Sequence, residues 1–125
     1  MKRIIETQNA PQAVGPYSQA VEVNGTLYVA GQVALNPATM KVVEGGIAEQ
    51  TLQVMKNIGA ILEAAGYSYA DVVKSTVLLS EMTDFKAMNE VYGSFYTENK
   101  PARAAFAVKE LPLGALVEIE TIAMK

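Results

Sequence analysis

From Ile47 onward the apolar residues change their period, and that switch constrains the architecture more than any other feature of the chain. Val54, Met55, Ile58, Ile61, Leu62 and Ala65 recur at helical spacing, with Glu49, Gln50, Gln53, Lys56 and Glu63 on the other face. Gly66 stands where a helix-ending glycine belongs. Before this helix the pattern is that of strands. Tyr17 to Val23 alternates loosely, and Leu27, Val29 and Val33 resume the alternation. Asn24-Gly25 between them signals a type I′ hairpin, because both turn residues must accept positive φ. Asn36-Pro37-Ala38-Thr39 marks a second turn leading into a short strand near Val42 and Val43, and Gly45-Gly46 closes this region.

Beyond the helix, Val72 to Leu79 is β-branched and mostly apolar, as a buried strand is. Thr83 or Asp84 is a candidate cap for a second helix whose stripe is Phe85, Met88, Tyr92, Phe95 and Tyr96. Pro101 closes it off. Ala104 to Val108 and Leu116 to Ala123 read as the last two strands, around the turn Leu111-Pro112-Leu113-Gly114. The order strands, helix, strand, helix, strands predicts one α+β domain over residues 1–125, with two helices covering one face of a sheet of five or six strands. The second face also needs cover. Half the residues are hydrophobic and 18% are charged, too little polar surface for an ordinary small monomer, so another copy of the chain is the simplest partner.

The net charge is −3 and the eight lysines are scattered singly, so no basic stripe exists to track a phosphate backbone and nucleic acid is not expected as the main partner. Cysteine and histidine are both absent. Disulfides, thiolate nucleophiles, Ser-His-Asp machinery and the usual zinc sites are thereby removed together. Catalysis must use carboxylates, hydroxyls, Lys, Arg, backbone groups or water. The first nine residues acquire charges and amides before any apolar run, unlike a signal peptide, and no segment approaches the roughly 20 apolar residues of a membrane span, which leads us to expect a cytoplasmic protein.

Arg103 is one of two arginines and lies among small and apolar residues from Pro101 to Val108. A guanidinium is costly to bury unpaired, so it is expected to meet a carboxylate or a phosphate. The strand Leu116 to Ile122 carries Glu118 and Glu120, two apart and therefore on one face. This combination is either an internal salt bridge or a site for a small anionic substrate. Tyr17 follows the rigid Gly15-Pro16 turn and is either aimed at a ligand or an ordinary hairpin aromatic. Gly31 either lets its N–H approach a bound carboxylate or marks a β-bulge. Asn89, on the second helix, faces a cleft or solvent.

Gly15-Pro16-Tyr17-Ser18-Gln19-Ala20, Gly31-Gln32, Asn89-Glu90-Val91-Tyr92, Pro101-Ala102-Arg103 and Val117-Glu118-Ile119-Glu120 together resemble the RidA/YjgF family of imine deaminases, over about Asn9 to Met124. The resemblance implies a chorismate-mutase-like subunit in a homotrimer, with the sheets facing a central barrel and an active site in each cleft between subunits. It implies hydrolysis of 2-imino acids to 2-oxo acids and ammonia without metal or organic cofactor. It further implies that Arg103 grips the substrate carboxylate, Glu118 is the catalytic acid, Tyr17 lies at the substrate, and Gly31, Asn89 and the main chain near Ala105 line the site. Ala30 stands where many members have serine, and Ala105 where many have cysteine. Two other functions compete: a non-catalytic sensor holding a 2-oxo acid through Arg103, and a ribonuclease, which fits an acidic chain without histidine poorly. Retention of both Arg103 and Glu118 favours the enzyme, since binding alone needs no acid.

Overall fold

A computed structural model describes all 125 residues. Its six strands are β1 (Arg3–Ile5), β2 (Ala20–Val23), β3 (Thr26–Gln32), β4 (Val72–Leu79), β5 (Ala102–Ala107) and β6 (Val117–Met124). They form one sheet in the order β1-β2-β3-β6-β4-β5. All pairings are antiparallel except β4 with β5, which run parallel, so the α+β sheet is mixed. A parallel pair needs a crossover, and α2 (Phe85–Gly93) supplies it. The longer helix α1 (Ile47–Ala65) connects β3 to β4 and packs on β3 and β6.

The expected Asn24-Gly25 hairpin forms with φ of 50° and 81°, both in the left-handed region that a type I′ turn requires. The predicted α1 stripe is buried, and Gly66 ends the helix at φ 84°. Opposite it Leu27, Val29, Val77, Val117 and Ile119 point at the helices and are nearly or fully buried. Each such aliphatic burial contributes about 1.5–3 kcal/mol before chain entropy is charged. Behind α2, the rings of Tyr69, Tyr92, Phe95 and Tyr96 form one packed cluster with centroids 4.9–5.9 Å apart.

Several expectations shift. Gln50, placed on the solvent face of α1, is buried, because its amide oxygen accepts the Leu116 N–H at 2.9 Å. The strand expected from Tyr17 starts only at Ala20. Pro16 has no N–H, Tyr17 N–H turns back to the Gly15 carbonyl at 2.8 Å, and the Gln19 side chain satisfies the chain around Thr7 to Pro11. Val42 makes only an isolated bridge to Leu35. Helix α2 stops at Gly93, leaving Phe95 and Tyr96 in the turn that follows, and Asp84 holds the N-cap position without a side-chain cap bond.

The first strand was not foreseen. Three residues carry too little pattern to register, and side chains hold β1 in place. Arg3 Nε donates to Glu22 Oε1 at 3.0 Å across the strand pair, and its Nη2 donates to the Ala65 carbonyl at 3.0 Å. Tyr67 OH donates to the second Glu22 oxygen at 2.7 Å, and Lys125 Nζ donates to the Gly66 carbonyl at 2.9 Å. The C-terminus of α1 has no basic residue of its own, so these two cations supply the charge its dipole favours.

Both helices lie on one sheet face. On the other, Ile4, Val21, Tyr28 and Ile122 stand in register across four strands, and a second row runs from Glu118 through Leu78 to Phe106 at the sheet edge. Ile4, Tyr28 and Phe106 are each about half exposed, at 45%, 51% and 47%. This apolar face is left bare by the chain's own helices.

Candidate active site

Arg103 and Glu118 do not meet within one chain. Arg103 pairs with Ser75, whose side chain is buried under the helices, whereas Glu118 pairs with Leu78 on the bare face. The expected proximity of the cation to the acid is therefore corrected: the sheet lies between them. Of the two arginines only Arg3 forms an ion pair.

The side chain of Arg103 is exposed, which removes the cost of burial that led us to expect a carboxylate partner. Helix α2 holds it instead. Its Nη1 donates to Asn89 Oδ1 at 2.7 Å, and its Cζ lies 5.1 Å from the Tyr92 ring centroid and 5.5 Å from that of Phe85. Phe85, Asn89 and Tyr92 are spaced i, i+4, i+7, one stripe of a helix. Asn89 is partly exposed, and its oxygen accepts from the guanidinium. Ala105 lies on the same side of β5, opposite buried Val77, and is half-buried against the core.

Glu118 and Glu120 share the bare face, as their spacing requires. The Glu118 carboxyl is pushed above the usual carboxylate range, first by burial and second by the neighbouring Glu120 charge. Arg103, on the far side of the sheet, does not oppose this shift. Beside Glu118 the β3–β6 register slips between Val29 and Gln32, which places Gly31 in a bulge. A β-carbon at Gly31 would collide with the Glu118 carboxylate. The bulge expected as one reading of this glycine is present, and the group that comes close to it is the protein's own Glu118 carboxylate.

Tyr17 is half exposed at 51% and lies on the loop ahead of β2. It lines a surface concavity of about 840 Å³, with Glu6, Gln8, Gln12 and Pro37 among its neighbours. None of Gly31, Asn89, Arg103, Ala105 or Glu118 reaches that concavity. Gln19 is buried there, but its amide is already committed to backbone groups at Thr7, Ala10 and Pro11. One chain carries the candidate residues in three separate places: Arg103 with Asn89 and Ala105, Glu118 with Gly31, and Tyr17. No group of three or more acidic side chains is positioned to hold a metal ion.

Residues 7–125 match the family described as Endoribonuclease L-PSP. RidA from the Antarctic bacterium Psychrobacter has the same fold at a TM-score of 0.95 and 49% identity, with 98% of this chain and 99% of that one covered. The chain belongs to the RidA/YjgF family. Among its relatives, the human 2-iminobutanoate/2-iminopropanoate deaminase is 47% identical over 125 residues, all of this chain and 91% of that protein. E. coli TdcF, solved with bound serine, matches at a TM-score of 0.94 and 36% identity over 98% of each chain.

The RidA/YjgF motifs gave no sign of the surroundings of Arg103. Phe85 and Tyr92 were assigned to the core stripe of α2. The i, i+4, i+7 spacing with Asn89 was visible in the sequence, but nothing there showed that β5 would lay an arginine across it.

Proposed function

We propose that this chain hydrolyses 2-imino acids to 2-oxo acids and ammonia, at sites formed between copies of the chain in a homotrimer. The observation that carries the reading is Glu118, a half-buried carboxyl with a raised pKa, seated against Gly31 on an apolar sheet face. General acid–base chemistry near neutral pH asks for a carboxyl displaced in this direction. The names of the mammalian relatives support the same substrate class.

A protonated 2-imino acid is already electrophilic, so the site has three tasks: hold the carboxylate, deliver water to the imine carbon, and protonate nitrogen as it leaves. Arg103 takes the first. Its planar fork can grip a carboxylate through two N–H bonds, which lysine cannot reproduce. Ionised Glu118 accepts a proton from the attacking water as the C–O bond forms. It returns that proton to nitrogen, and as the C–N bond of the tetrahedral intermediate breaks and C=O forms it takes up the hydroxyl proton, which departs with ammonia as ammonium beside the 2-oxo acid. Tyr17 borders the substrate, Gly31 makes room for the acid, and the main chain at Ala105 faces the imine end.

Because Arg103 and Glu118 lie on opposite sides of one sheet, the arginine of one copy must serve the acid of another. The bare apolar face and the exposed edge strand β5 are what neighbouring copies would cover.

The test generates 2-iminobutanoate in situ from threonine with a threonine dehydratase. It follows 2-oxobutanoate formation with and without this protein, with semicarbazide competing for free imine. Accelerated 2-oxobutanoate release and reduced semicarbazone are expected. Equal rates in both arms would reject the activity.

A further inference from the structure

We infer that the aromatic rings of Phe85 and Tyr92 are positioning residues for substrate binding, acting through Arg103. The inference rests on the reading of Arg103 as the carboxylate grip and adds the groups that aim it. An exposed arginine on an edge strand has several free torsions, and freezing them when a ligand binds costs affinity. Here three side chains limit that freedom beforehand. The Phe85 and Tyr92 rings flank the guanidinium at 5.5 and 5.1 Å, and Asn89 fixes Nη1 at 2.7 Å. Asn89 uses one of the five N–H donors, and four remain for a carboxylate.

The two rings do not play the same part. Tyr92 is buried and packs at a tilt against Tyr96 at 4.9 Å, which in turn meets Tyr69 edge-on, so its plane is set by the core. Its phenol is pushed up by burial, with the nearby Ser75 hydroxyl and Arg103 pulling it back. The ring is therefore neutral at working pH and meets the cation through its π face, not as a phenolate. Phe85 is only half-buried at the start of α2 and has no polar group. What it offers Arg103 is the quadrupole of its ring.

That difference makes Phe85 the position to test. Replacing it with 4-fluoro-, 3,5-difluoro- and 3,4,5-trifluorophenylalanine drains the ring face of electron density in steps while leaving its shape nearly unchanged. With 2-oxobutanoate as the probe, the Kd from calorimetry should rise step by step, to about two- to five-fold in total. The KM for 2-iminobutanoate should rise in parallel with little change in kcat, because the ring acts on the group that holds the substrate carboxylate in ground and transition state alike. Tyr92→Phe, which keeps a ring, should retain most of the affinity that Tyr92→Leu loses.

A second readout does not depend on activity. With only two arginines, the chain gives two side-chain Nε–H signals, and Arg103→Ala identifies one of them. Ring currents should displace the Arg103 signal, and Phe85→Leu should move it towards the position of a free arginine. A flat Kd series and an unmoved signal, alongside lost binding in Arg103→Ala, would overturn the positioning role and leave the carboxylate grip standing. Undiminished 2-oxobutanoate binding by Arg103→Ala would overturn the grip itself, and this inference with it.

Discussion

The Glu118 carboxylate occupies the space that a β-carbon on Gly31 would need. The bulge in β3 and the missing side chain together let the acid fold against the neighbouring backbone instead of standing out from the sheet. Gly31→Ala should displace the carboxylate and lower kcat by about 100-fold, the cost of a misplacement near 1 Å, with little loss of thermal stability because the atom in the way is the far end of a flexible side chain. Steady-state kinetics beside a melting curve checks this; a fully active Gly31→Ala would show that the seat of Glu118 does not matter.

Arg103 should be irreplaceable by lysine. Arg103→Lys keeps the charge and loses the planar fork, and Arg103→Ala loses both, so kcat/KM should fall by about 10- to 100-fold or more. The side chain is exposed and unpaired with any acid, so neither change should unfold the protein. Circular dichroism and imine hydrolysis measured on the same samples separate the two effects.

The bare face predicts assembly. Ile4, Tyr28, Phe106 and Met124 are exposed on it, and a stable monomer rarely leaves such a patch open. Multi-angle light scattering should give about three times 13.4 kDa, and Tyr28→Glu should weaken the assembly and hydrolysis together. A micromolar monomer that hydrolyses imine would contradict the shared site.

Element types were legible in the sequence because period and punctuation agree. The α1 stripe, the Asn24-Gly25 turn and the β-branched run of β4 each state their geometry locally. Long-range polar bonds were not legible. Gln50 looked like a surface residue until it met the Leu116 N–H, and Gln19 ends the regular strand pattern by serving a loop eight to twelve residues upstream. The candidate site follows the same division. Its residue types stood out as motifs, but which sheet face each occupies depends on the strand order. That order places β6 between β3 and β4, and only there does Glu118 come to stand against Gly31.

Strand β1 should be the acid-sensitive part of the fold. Glu22 is held below the usual carboxylate range by Arg3 first and by the Tyr67 hydroxyl second. A depressed carboxyl contributes stability that is present above its ordinary value of 4.5 and is lost as pH falls through the folded value. Arg3→Ala should therefore lower the Tm at pH 7 and flatten its decline on acidification. Amide exchange should place the new opening at Arg3–Ile5 and the end of α1. An unchanged acid slope in Arg3→Ala would remove this pair from the account.

Glu118 should behave in the opposite sense, and that is how its cost can be separated from its use. Its pKa is raised by burial and by Glu120, so below the ordinary value of 4.5 the folded and unfolded chains both hold the proton and the shift has no effect. As pH rises above 4.5 the unfolded chain ionises first, and stability falls until the folded carboxyl has ionised as well. Glu118→Gln should therefore raise the Tm at pH 7 and leave it nearly unchanged below pH 4.5. Hydrolysis should drop about 10²- to 10⁴-fold, because an amide cannot relay the proton from water to nitrogen. In the unmodified protein, hydrolysis should decline as pH falls through the folded Glu118 value. Glu120→Gln removes one of the two causes of the shift, so it should move this acid limb to lower pH and change the plateau rate far less. If Glu120→Gln is the inactive variant, the proton relay belongs to the other carboxylate. If Glu118→Gln is more stable and fully active, the raised pKa is a cost of packing with no catalytic return.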